Sequence, residues 1–203
     1  MSDNTRILVV AATARELAPA DGWLTLQCGV GPVEAAAATA TAIALHTPAA
    51  ILHVGIAGAR RRSTLAPPAL VIGRDASFCD LSAESVWAPR FVETPPWLVA
   101  ALQTAFPGAT VLPIGTSARV GGTSDSDGID VEAMEGFGVL RAAQLANVPA
   151  IEVRAISNEI EEEDRAMWRF DDAFAAITDA TPQLVDAIRE ALNVHARASD
   201  VHA

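Results

Sequence analysis

Short, almost wholly apolar runs constrain this chain more than any other feature. Ile7–Ala11 reads ILVVA, Ala50–Val54 reads AILHV, and Leu24–Cys28 is a further strand between them. A strand with one wet face alternates apolar and polar residues, whereas one that is apolar throughout is covered on both faces. Between the second and third strands, Gly29-Val30-Gly31-Pro32 turns the chain into Val33–His46, an alanine-rich stretch of good helix propensity that Pro48 ends. This β-β-α-β opening predicts an α/β fold.

Downstream, Ala69–Gly73 and Ala76–Cys79 read as strand pieces, Pro95–Phe106 as a helix and Thr110–Ile114 as a strand. Gly115–Gly128, rich in Gly, Ser and Asp, reads as a mobile loop. Ile129–Ala133 is a strand, Glu135–Asn147 a helix and Pro149–Ser157 a strand. Asp171–Leu192 is amphipathic and helical, with an interruption expected near Pro182. The middle strands lack helical crossovers, so the expected architecture is a single-domain mixed central β-sheet flanked by helices. The domain is placed at 1–195, with 196–203 a flexible C-terminal tail.

Composition closes off several functions. The chain has 203 residues and a net charge of −11, which disfavours nucleic acid and anionic membrane surfaces as partners. It contains no lysine, so no Schiff base, pyridoxal phosphate anchor or P-loop lysine can form. Cys28 and Cys79 lack metal-like spacing and are expected to be reduced, buried thiols. The four histidines form no ligand pair, so no metal site and no cofactor are expected. No apolar run approaches the roughly 18 residues of a membrane span. No basic region precedes the first apolar run, so a cytoplasmic protein is expected. Arg60-Arg61-Arg62 reads as a solvated loop or an anion site.

The segment IDVEAMEGFGVLRAAQLANVPAIEVRAISNE, residues 129–159, carries the densest chemistry. Glu135 opens a helix directly after a strand, and Ser157 and Asn158 end another strand. Those positions face the ligand crevice of an open α/β sheet. Glu135 is either a first-turn acid favoured by the helix dipole or a carboxylate accepting two ribose hydroxyls. Asn158 is either a turn residue or a ligand contact. Its amide can donate to a purine N7 and pair with the group at C6. An aspartic acid there would suit an amino-purine, so the amide tilts the site toward a 6-oxopurine. Glu16, just beyond the first strand, is either a helix-start acid or a general base acting on water. Phe78 either stacks on a base or packs internally, and Trp168 and Phe170 either close over a ligand or join the core. Gly55-Ile56-Ala57-Gly58 is read as a turn after a strand, with backbone open to a ligand.

The stretches ILVVAATAREL (7–17), GVGPVEAAAATA (29–40), ILHVGIAGA (51–59), VEAMEG (131–136) and VPAIEVRAISN (148–158) resemble the nucleoside phosphorylase and nucleosidase family. Within it the chain looks most like the futalosine hydrolases of the alternative menaquinone pathway. ASFCDLSAES (76–85), Ser157-Asn158 and EEEDRAMWRFDDAFAAI (161–177) carry that likeness. The resemblance implies that Glu16 positions the attacking water, Glu135 binds the ribose hydroxyls with Met134 against the sugar, and Asn158 contacts the leaving purine. Ser157, Phe78, Ile56 and Ala133 fall at binding positions. Ile56 replaces a hydroxyl residue of many relatives, and Ala133 replaces an acid of the adenine nucleosidases. The implied reaction is hydrolysis of futalosine to hypoxanthine and dehypoxanthine futalosine by a homo-oligomer. A purine nucleoside phosphorylase, an adenine nucleosidase acting on methylthioadenosine or aminodeoxyfutalosine, and a nucleoside-binding protein are the alternatives.

Overall fold

The structure, a computed structural model, describes residues 6–82, 86–123 and 128–200. Its eight strands are β1 (Ile7–Ala11), β2 (Leu24–Gln27), β3 (Ala50–Ala59), β4 (Leu70–Phe78), β5 (Phe91–Glu93), β6 (Thr110–Thr116), β7 (Val131–Ala133) and β8 (Ala150–Glu159). They form one mixed sheet in the order β2-β1-β3-β7-β6-β4-β5, with β8 pairing both β3 and β4. The strands β3, β8, β4, β6 and β7 thereby pair in a closed circuit. The apolar runs β1, β3 and β8 lie parallel, side by side, at its centre.

Helices α1 (Pro32–His46) and α3 (Gly136–Leu145) cover one face, burying Val139, Leu140 and Ile43 against Leu8, Val10 and Ile51. Helices α2 (Pro96–Ala105) and α4 (Phe170–Asp200) cover the other, where Leu98, Leu102, Ile177 and Leu184 meet Val9, Leu52 and Val153. Both faces being covered is what the apolar strands require.

Several boundaries move. β3 continues through Gly55-Ile56-Ala57-Gly58, which is strand rather than turn, because β8 pairs it along its whole length with a bulge at Ala57/Gly58. The two strand pieces before residue 80 are one strand, β4. Gly115 and Thr116 belong to β6 rather than to the expected loop, whose residues 124–127 lie outside the described residues, as do 83–85. Pro182 does not interrupt α4. A helix-interior proline costs about 3 kcal/mol. Ala173, Ile177, Leu184, Val185 and Ile188 are buried, and each large apolar side chain among them contributes about 1.5–3 kcal/mol, so packing prevails. The same helix runs on through His195 to Asp200, while 201–203 lie outside the described residues. Among the described residues no helix is long and apolar enough to cross a membrane.

Candidate active site

The carboxyl ends of β1, β3 and β8 and the start of α3 surround a cavity of about 240 Å³. Glu16, Glu135, Asn158, Ser157, Met134 and Ala133 all line it, as does Ile56. Phe78 is not among the lining residues; its ring stacks on Phe137 with centroids 5.2 Å apart. Trp168 and Phe170, open between core and cover at the sequence level, are cavity-lining.

The two acids are both buried yet held in opposite ways. Glu16 sits on a 3₁₀ turn after β1. Its Oε2 accepts from the Thr13 backbone N–H (2.9 Å) and hydroxyl (2.8 Å), and its Oε1 from the Ile56 N–H (3.2 Å). All three donors are neutral. Glu135 occupies the N-cap position of α3. Its Oε1 accepts from the Gly31 N–H (3.0 Å), which the positive φ of 98° turns toward it, and its Oε2 lies 3.5 Å from Arg154 Nη2. One carboxylate is hydrogen-bonded without a cation in contact, and the other is paired with one.

Arg154 is the hub beneath the cavity. It is wholly buried on β8. Its Nε donates to Glu152 Oε1 at 2.7 Å and its Nη1 points to the Ile56 carbonyl at 3.4 Å. Its Nη2 lies 2.5 Å from His53 Nε2. Burial opposes its charge, but the carboxylates of Glu152, Glu135 and Glu16 outweigh that and hold its pKa above the usual value. The His53 Nδ1 lies 3.0 Å from the Val10 carbonyl, which assigns the ring proton to Nδ1 and leaves Nε2 to accept from the guanidinium. Burial, then the Arg154 charge, pushes the His53 pKa well below its usual value, so this ring is neutral. Glu152 is raised by burial, and one of its oxygens has no partner. Register explains the assembly: His53 pairs with Glu152, and Gly55 with Arg154. A Cβ at Gly55 would fall on Arg154 Nη1 and 2.9 Å from Glu16 Oε1, so only glycine leaves the guanidinium this opening toward Glu16.

Asn158 lies opposite Gly58 in register. Its Oδ1 accepts from the Ser157 hydroxyl (2.8 Å), which also reaches the Ala57 carbonyl (3.1 Å). One amide N–H donates to the Glu159 carbonyl (2.9 Å), which leaves the other for a ligand. Burial, with Glu135 adding to it, pushes the Cys28 thiol up to about 12, so Cys28 offers no thiolate nucleophile. Cys79 is only half-buried, against expectation, and its thiol is pushed up to about 11, again chiefly by burial. Among the described residues no group of three or more His, Cys, Asp or Glu side chains is arranged to hold a metal ion.

Sequence reasoning missed a second buried cluster. Arg60 is not part of a solvated loop; its side chain is 10% exposed and meets Glu132 Oε1 at 2.6 Å. Glu132, which lines the cavity, also accepts from the Thr123 N–H (2.8 Å) and hydroxyl (3.1 Å). The available signal was charge inside apolar strands, in IEVRAI for Glu152 and Arg154 and in VEA for Glu132, because a charge is buried only with a partner.

A family model described as the phosphorylase superfamily matches residues 22–193. A futalosine hydrolase of Streptomyces coelicolor is 36% identical over 196 residues, spanning 83% of this chain and 80% of the relative. An S-adenosylhomocysteine nucleosidase from Streptococcus pyogenes, solved with 5-methylthiotubericidin, has a TM-score of 0.79 at 21% identity, covering 94% of this chain and 98% of that one. A futalosine hydrolase of Helicobacter pylori has a TM-score of 0.74 at 15% identity, covering 93% and 97%. The two solved structures share the mixed sheet and its helical layers, and the sequence match extends over most of the domain: the chain belongs to the phosphorylase superfamily.

Proposed function

We propose that this enzyme hydrolyses the N-ribosidic bond of futalosine, releasing hypoxanthine and dehypoxanthine futalosine within menaquinone biosynthesis. The observation that carries the chemistry is the contrast between its two acids. Glu16 accepts only from neutral donors and lies beside the cavity, which suits a base that acts on water, whereas Glu135 lies against the Arg154 guanidinium, which suits an acceptor for the ribose hydroxyls. The Streptomyces relative supports the substrate.

Glu16 takes a proton from water as the water oxygen bonds to C1′. The C1′–N9 bond breaks through an oxocarbenium-like state, its electron pair leaves with the purine, and the purine takes up a proton from solvent while Glu16 returns its own to solvent. Asn158 donates its free amide N–H toward the departing base, lowering the cost of the charge that builds there. Glu135 accepts from the ribose hydroxyls, with Met134 beside the sugar. Base catalysis of this kind contributes roughly 10²–10⁴-fold.

A cytoplasmic location is part of the same proposal. Exposed apolar side chains on α1, Val33 (76%) and Leu45 (71%), support a homo-oligomer, which light scattering checks. For the activity, the protein is incubated with futalosine, inosine and methylthioadenosine, with and without phosphate, and free base is followed. Hypoxanthine from futalosine without phosphate is the expected result. Turnover only with phosphate sinks the hydrolase, adenine from methylthioadenosine alone makes it an adenine nucleosidase, and no turnover leaves a binding protein.

A further inference from the structure

Two arginines of the cavity have no part in the chemistry above. Arg119, after β6, and Arg165, after β8, come from segments far apart in sequence and line the same cavity. Both are solvent-exposed. In this acid-rich chain at least eight of the 14 arginines reach a carboxylate. Among the described residues neither Arg119 nor Arg165 does. Arg165 instead lies over the Trp168 ring, 5.6 Å from its centroid, and that ring is fixed by its own N–H donating to the Glu162 carbonyl (3.0 Å). Phe170 and Phe174 continue the apolar surface.

We propose that Arg119 and Arg165 are specificity-determining residues that bind an oxyanion on the substrate's 5′ substituent, with Trp168, Phe170 and Phe174 receiving a flat apolar spacer. The inference rests on the nucleosidase reading. Base, ribose hydroxyls and water are already served by Asn158, Glu135 and Glu16, and none of those groups needs a cation. Of the ribose positions, C1′ carries the base and the two ring hydroxyls are engaged, so C5′ is where a substituent can extend. An anion beside the reacting carbon would instead meet the buried carboxylates Glu16, Glu132 and Glu135. The exposed guanidiniums put the anion at the mouth, where a carboxylate can be gripped in a two-pronged contact.

The test uses matched nucleosides: inosine with a 5′-thioether-linked benzoate, its neutral benzamide twin, and inosine 5′-monophosphate. The full-length protein should prefer the benzoate over the benzamide in kcat/KM, and the Arg119→Gln/Arg165→Gln variant should cut that ratio at least about tenfold. Added salt should erode the preference in the parent. The monophosphate arm separates a bare phosphate from a carboxylate on a spacer; a carboxylate predicts the benzoate as the better substrate. Loss that falls equally on benzoate and benzamide overturns the assignment. So does acceleration of base release by inorganic phosphate that the double variant abolishes, because the arginines then hold a nucleophile. If the parent cleaves none of the three and does not cleave futalosine either, the nucleosidase reading falls, and the benzoate-to-benzamide binding ratio by calorimetry still decides this one.

Discussion

Two buried arginine–glutamate clusters border the same cavity and are built differently. Around Arg154, every partner stands on a β-strand or a helix cap: His53 and Ile56 on β3, Glu152 on β8, Glu135 at the start of α3. Strand register sets their spacing, and Arg154, Glu152 and His53 are wholly buried. Around Arg60, among the described residues, Glu132 is the partner that lies within a strand. The rest are loop groups: the Thr123 backbone and hydroxyl, the Ile129 carbonyl, and Glu161 at 4.0 Å. The first cluster sets the surroundings of Glu135 and Glu16, the acids to which the proposed function assigns the chemistry. The second ties down the 119–123 segment that forms a wall. Regular structure therefore holds what must not vary, and side-chain ties hold what a change of substrate would alter.

The comparison breaks most sharply at Arg154. Arg154→Met should leave Glu152 buried with an uncompensated charge and cost about 3–5 kcal/mol, read as a drop in urea midpoint. Adding Glu152→Gln should recover part of that loss. An unchanged midpoint in the single variant would mean that the buried pair does not hold the floor of the site. Arg60→Met should cost less, about 1–2 kcal/mol, because Glu132 keeps both Thr123 donors. Its signature should be a several-fold rise in KM with kcat nearly kept; a kcat collapse instead would put Arg60 in the chemistry.

The smallest expected effect is pH dependence. His53 is depressed below its usual 6.5 in the folded state, so the unfolded chain binds the extra proton. Its stabilising contribution is complete above pH 6.5 and is lost as pH falls below it, by up to about 1.4 kcal/mol per unit. Between pH 7 and 5 the parent should lose Tm relative to His53→Gln. A difference that stays flat with pH would show that the ring takes up protons equally in the folded and unfolded chains.

The centre of the fold was readable because β1 is apolar from end to end and β3 and β8 are rich in apolar residues, and that pattern has one common solution. Glu16, Glu135 and Asn158 were readable as strand-exit and helix-entry positions, where crevices form. What the sequence hid was relational. Glu152 and Arg154 face the core only because β8 is covered on both sides, and Arg60 meets Glu132 only because β3 and β7 pair antiparallel 72 residues apart. Phe78 was open at the sequence because an aromatic ring beside a strand end carries no mark of its neighbour; in the fold its ring stacks on Phe137. Pro182 misled because its local penalty is fixed while the burial that outweighs it depends on the sheet below.

If Glu16 is the base and Glu135 the ribose ligand, Glu16→Gln separates the two roles. Hypoxanthine release from futalosine is measured in phosphate-free buffer beside the nucleoside's Kd. Release should fall at least about 100-fold while Kd stays within a few-fold of the parent. Release within tenfold of the parent would contradict the account, because a residue whose loss costs so little is not the group that activates water.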